Sequence, residues 1–168
     1  ALLKDEINFY IIPRDLKDLP SGLQTECIYR ENLYLIAAPG VVKEEDLADP
    51  IHNIVRDAFL RSQPFIPIKK GHAIRKKTDE IFRKKKISPI VSMEVSSCIS
   101  AVQLAHSGLG ITIVPRRALE ALGGIDCFCR YQYGEIPDAW DVNVVYKKDS
   151  YLDRTERGFI ELLKSVFP

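Results

Sequence analysis

Three short stretches carry side chains able to hold a small charged molecule. Ile68 runs into Lys69-Lys70-Gly71-His72, Val95 runs into Ser96-Ser97, and Val114 runs into Pro115-Arg116-Arg117. Each follows an apolar run that reads as a β-strand and precedes a helical pattern. In open parallel sheets, ligands sit outside the carboxyl ends of strands, where fresh helix N-termini offer free N–H groups and a positive dipole end. Two ammonium groups, a glycine allowing close backbone approach and two hydroxyls suit a small carboxylate or phosphate. The three stretches could then line one binding cleft. The plainer alternative is that Ser96 or Ser97 only caps a helix and the lysines are solvated charge. If the three stretches act together, the chemistry is binding, with no bond broken.

Other arrangements point to less. His52, His72 and His106 lack the i, i+4 spacing of a helical metal pair, and no H-E-x-x-H occurs. Neither Ser62 nor Ser107 lies in a G-x-S-x-G turn, so a serine nucleophile is not indicated. Gly108-Leu109-Gly110 precedes a strand where a phosphate loop would follow one, and it reads as a helix-to-strand turn. Arg83 with Lys84-Lys85-Lys86 is a basic run at a helix end, read as a solvated face. Cys27, Cys98, Cys127 and Cys129 show no paired C-x-x-C spacing; they read as buried structural thiols in a reducing cytoplasm, with Cys127 and Cys129 on one face of a strand. Trp140 with Tyr131 and Tyr133 reads as packing more readily than as a stacking platform. No catalytic residue, metal site or cofactor is expected.

Composition agrees. The 168 residues are 46% hydrophobic and 28% charged, enough apolar matter for a packed core and too much for disorder. Twenty-four basic against twenty-three acidic residues leave a formal charge of +1, which excludes nucleic-acid binding through bulk charge. No apolar run reaches the roughly 18 to 20 residues needed to span a bilayer, and Lys4-Asp5-Glu6 interrupts any leader. A soluble mixed protein without a membrane partner is expected.

The elements that must position these loops alternate in period. Ala1–Lys4 reads as the last turn of a helix, and Ile7–Ile12 as a buried strand stopped by Pro13. Pro20-Ser21-Gly22 marks a turn before two strands, Thr25–Tyr29 and Asn32–Ala38. Lys43–Ala48 reads as a short helix ended by Pro50, while Ile51–Arg61 stays ambiguous. Strands at Phe65–Ile68, Pro89–Val95 and Ile111–Val114 then alternate with two helices, His72–Lys85 and Ser97–His106. In the first, Ile74, Thr78, Ile81 and Phe82 share one face; in the second, Cys98, Ile99, Ala101, Val102 and Ala105 point inward, with Gly108 as C-cap. Pro115 opens a further helix that runs to Leu122. This repetition implies right-handed crossovers and a parallel sheet. Strands at Ile125–Arg130 and Asp141–Lys147 follow, and Asp153 with Glu156 forms a capping box for a last helix with a stripe of Phe159, Ile160, Leu163 and Val166. The class is α/β.

Met93-Glu94-Val95-Ser96-Ser97, then Ala101-Val102-Gln103, then the block Gly108 to Pro115, resembles the effector-binding domain of LysR-type transcriptional regulators. Leu2–Asn8, Leu33–Pro39, Val42–Pro50 and Phe159–Leu163 fit the same pattern in the same order, so the resemblance covers most of the chain. It implies a periplasmic-binding-protein-like fold: two Rossmann-like subdomains joined by two crossing strands, with an inducer in the cleft between them. Residues 1–38 and 145–168 would form subdomain I, incomplete at its N-terminus, and 39–144 subdomain II. The loops at Lys69–His72 and Ser96–Ser97, and Pro115, fall where the family contacts its effector. The segment Ile51–Gln63 is longer than the usual connection.

The resemblance also implies partners: a small-molecule effector, here an anion such as a carboxylate, and a second copy of the chain in a homo-oligomer. DNA would be reached only through an N-terminal winged helix-turn-helix that these residues do not include. The working compartment would be the cytoplasm. Two alternatives share the two-lobed shape: a solute-binding receptor of a transporter, and an enzyme using Lys69 or Lys70 as base with Cys98 as nucleophile.

Overall fold

The computed structural model describes residues 2, 7–13, 20–134 and 139–166. In chain order the elements are strand β1 (Phe9–Pro13), strand β2 (Leu23–Ile36), a 3-10 turn at Glu44–Asp46, strands β3 (Leu47–Asp49) and β4 (Ile54–Val55), and helix α1 (Asp57–Ser62). Strand β5 (Pro64–Phe65), helix α2 (Ala73–Lys84), strand β6 (Ile90–Val91), helix α3 (Cys98–His106), strand β7 (Thr112–Pro115) and helix α4 (Arg116–Glu120) follow. A 3-10 turn at Ile125–Cys127, strands β8 (Arg130–Tyr131) and β9 (Ala139–Lys147), and helix α5 (Arg154–Val166) complete the path. The expected helix turn at Ala1–Lys4 and the polar stretch from Asp15 lie largely outside the described residues.

The chain divides into two compact units, residues 1–31 with 139–168, and residues 32–138. The resemblance implies divisions at 38 and 145. Strand β9 pairs with β1 from Tyr146 back to Val142, which binds its length to the first unit. Strand β2 is paired with β7 only from Leu33 onward, which binds its later part to the second unit.

In the first unit β9 lies between β1 and β2, antiparallel to β1. Helix α5 covers the sheet through Ile160, which packs with Ile28, Val144, Tyr146 and Leu152. Its capping box forms as the spacing predicts: Glu156 N donates to Asp153 Oδ1 and Asp153 N to Glu156 Oε2, both at 2.8 Å. One expectation needs correction. The first strand begins at Phe9, includes Pro13 and is half-buried, not buried: Ile11 is 41% exposed, and Pro13 pairs with Val142. Among the described residues β1 has one neighbour only, and an edge position tolerates a missing N–H and turns alternate side chains to water. Of the helical stripe, Ile160 is buried and Leu163 half-buried, whereas Phe159 and Val166 are exposed.

The second unit holds the parallel strands. β5 pairs with β6 in parallel, and parallel bridges link Phe65 to Ile111 and Ile68 to Val95. β7 then pairs antiparallel with β2, which pairs antiparallel with β8. Helix α2 buries Ile74, Thr78, Ile81 and Phe82, the four its period selects. Helix α3 buries Ala101, Val102 and Ala105, but Ile99 is 41% exposed, so it leaves the inward set. Gly108 takes φ +86° and donates its N–H to Ala105 O at 3.0 Å, as a C-cap should.

Three further elements differ from expectation, and an ambiguous one takes form. Thr25–Tyr29 and Asn32–Ile36 belong to one continuous strand, β2, which runs through Arg30 and Glu31 and stops before Ala37. Lys43–Ala48 gives a 3-10 turn, closed by Lys43 N on Asp46 Oδ2 at 3.0 Å; Leu47 then pairs with Val55 and draws the chain into β3. The ambiguous Ile51–Arg61 resolves into β4 and α1. Ile125–Arg130 is a 3-10 turn with only Arg130 in a strand, since Arg130 Nη1 reaches back to Ile125 O and Asp126 Oδ1 at 3.1 and 2.9 Å.

Candidate functional site

The parallel ladder of the second unit decides where its loops emerge. Ile66 N donates to Ile111 O at 2.9 Å, and Thr112 Oγ1 to Ile66 O at the same distance. On the other side Val95 N donates to Pro67 O at 3.1 Å and Lys69 N to Val95 O at 2.8 Å. The segment 64–68 therefore runs between 90–95 and 111–115, all pointing one way. Lys69–His72 and Ser96–Ser97 leave adjacent strand ends as immediate neighbours, and Pro115 ends the strand on the opposite flank.

Lys69, Lys70, Gly71, His72 and Ser96 are exposed; Ser97 and Pro115 are half-buried. Gly71 has φ +99° with nothing within 4 Å of an added Cβ, so backbone conformation requires the glycine, not crowding. His72 is the N-cap residue of α2 and makes no side-chain capping bond. Ser97 caps α3, its Oγ accepting from Ile99 N at 3.2 Å. The capping alternative thus holds for Ser97 and not for Ser96. Pro115 ends β7 and stands just before α4, one position earlier than expected; that helix ends at Glu120, short of Leu122.

Two residues not singled out from sequence join this edge. Arg75 Nη1 donates to Ile68 O at 3.1 Å and to Glu94 Oε1 at 2.6 Å, and its Nε donates to Asp79. The guanidinium holds the Glu94 carboxyl below the usual carboxylate range, with Lys70 and Lys69 adding to the effect. The Arg75–Asp79 spacing was legible as an i, i+4 pair; its reach to Glu94 needed the fold.

The remaining candidates take ordinary places. His52 rests against Asp49 at 2.7 Å on an exposed turn. Within the basic run, Lys85 meets Asp57 at 2.8 Å and Lys84 meets Glu80 at 3.4 Å. The cysteines are not uniformly buried, and Cys127 with Cys129 share no strand face: Cys27 and Cys127 are exposed, and Cys127 Sγ lies 3.5 Å from Gly123 O in its turn. Burial pushes the Cys98 thiol up, away from a nucleophilic thiolate. Trp140 is 5% exposed within β9, and Tyr133 is fully buried, so neither offers a face for stacking. Among the described residues no group of His, Cys, Asp or Glu side chains is placed to hold a metal, and no helix is long and apolar enough to cross a membrane.

Over residues 1–168 the sequence matches the family of LysR substrate binding domains. The chain belongs to that family. This LysR-type domain is 38% identical over 56 residues to an uncharacterised HTH-type transcriptional regulator, YybE, of Bacillus subtilis (strain 168); that segment is 33% of this chain and 19% of the relative. Its fold is similar to the CcmR regulatory domain of Synechocystis PCC6803, solved in complex with 2-PG, with a TM-score of 0.75 at 21% identity, covering 98% of this chain and 76% of that one. It is also similar to the effector binding domain of QuiR in complex with shikimate, with a TM-score of 0.71 at 14% identity, covering 98% and 74%. The LysR-type domain thus has the two-subdomain α/β fold of periplasmic-binding-protein type.

Proposed function

We propose that this domain senses a small anionic effector held by Lys69, Lys70, Gly71, His72, Ser96, Ser97 and Pro115, and does no chemistry on it. The observation that carries the reading is the ladder between Ile68 and Val95, which brings lysines and hydroxyls to one strand edge. The structural neighbours solved in complex with 2-PG and with shikimate support an acidic small molecule as ligand class. The bound anion favours one arrangement of the domain over another, and the shift in population reaches the DNA-binding parts of the whole regulator. That regulator works in the cytoplasm as a homo-oligomer, the setting its family membership supports.

Isothermal calorimetry against a panel of carboxylates and phosphate esters tests the assignment. Replacing Ser96 and Lys70 together by Ala abolishes the heat of whichever ligand binds. Unchanged affinity in that variant would move the site elsewhere.

A further inference from the structure

The candidate anion site contains a carboxylate of its own. Glu94 stands two residues before Ser96, with its side chain 41% exposed, and the 2.8 Å bond from Lys69 N to Val95 O sets the Lys69-Lys70 loop beside its strand end. Left to itself, a carboxylate beside two lysines on neighbouring loops would pair with them and occupy the place of an incoming anion.

Arg75 offers it a better partner. Its side chain is only 12% exposed, and its guanidinium is fixed from three directions: Ile68 O at 3.1 Å, Asp79 Oδ1 at 2.9 Å and Glu94 Oε1 at 2.6 Å. A planar fork already oriented by two other acceptors loses little freedom on binding a third, whereas a lysine on an exposed loop loses several rotamers. The short charge-assisted bond to Arg75 therefore wins the carboxylate.

We propose that Arg75 is a specificity-determining positioning residue: by holding Glu94 it keeps that carboxylate off Lys69 and Lys70, leaving both free for an anionic effector. The inference rests on the effector site proposed above. Without Arg75, Glu94 becomes an intramolecular competitor of the ligand.

The test uses Arg75→Gln, Glu94→Gln and the double variant, with inorganic phosphate and shikimate as calorimetric probes. Arg75→Gln weakens probe binding about tenfold, and adding Glu94→Gln restores it to within about threefold of the parent. A bracing role alone predicts loss in both, so failure of the double variant to recover overturns the inference, as does unchanged affinity in Arg75→Gln. A ligand-free measurement separates this idea from the site assignment. Acetylation of Lys69 and Lys70 by a mild acylating reagent, read by mass spectrometry, slows about threefold in Arg75→Gln and recovers in the double variant. If acetylation follows that course while neither probe binds the parent, the proposed effector class fails and the role of Arg75 stands. If acetylation is the same in all variants, the role of Arg75 fails.

Discussion

Glu26 on β2 gathers donors from two elements. Lys164 of α5 bonds its Oε1, while Arg157 of α5 and Tyr146 of β9 reach Oε2 at 3.1 and 3.4 Å. The Lys164 hydrogen bond is the main cause that holds this carboxyl below its ordinary 4.5, against the opposing cost of burial. The unfolded chain therefore takes up the Glu26 proton at higher pH than the folded one. The pairing stabilises fully above that ordinary value and is lost as pH falls through the depressed folded value. The side chain is 26% exposed and solvent screens part of the attraction. Glu26→Gln should cost about 1 kcal/mol at neutral pH and flatten the acid limb of the stability curve, measured by urea unfolding at pH 7 and below pH 4.5. An acid limb unchanged in the variant would assign the pH dependence to other carboxylates.

At the scale of elements, one glycine holds the turn from α3 into β7. Gly110 has φ +146°, and an added Cβ would stand 2.5 Å from Pro64 O and 3.1 Å from Pro64 C. Ile111 N donates to that same carbonyl at 2.7 Å, so the contact is backbone against backbone and cannot rotate away. Gly110→Ala should therefore destabilise by about 3 kcal/mol in urea unfolding, through overpacking and backbone strain together. A cost below about 1 kcal/mol would mean that β5 and β7 shift apart freely. Elements with a long period or a paired cap were legible in the sequence: the buried face of α2, the Ser97 cap of α3, and Asp153 with Glu156 at α5. Short segments were not, because partners distant in sequence decide them. Ile125–Arg130 alternates like a strand, yet Gly124 at φ +121° and the return of Arg130 to Ile125 O fold it into a turn. Lys43–Ala48 has helical composition, but Leu47 is claimed by Val55.

For the molecule as a whole, charge balance governs what it can touch. A net of +1 offers no bulk attraction to polyphosphate, and the Arg83–Lys86 run is partly neutralised by Asp57 and Glu80. These residues alone should leave promoter DNA unshifted in a gel at about 0.15 M salt. A retarded band would show that the basic run is a nucleic-acid surface. The candidate site was half legible at this scale. Its loops announced themselves because hydroxyls and lysines follow apolar strands; Arg75 and Glu94 stayed hidden because nothing local links residues 19 apart. The unbroken course of β2 has a practical corollary. Its amides belong to the hydrogen-bond networks of both units, so a proteolytic peptide spanning Leu23–Ile36 reports two protection events at once. Its deuterium uptake separates into two steps if the units open independently and collapses into one if they open together, giving a single-peptide gauge of cooperativity.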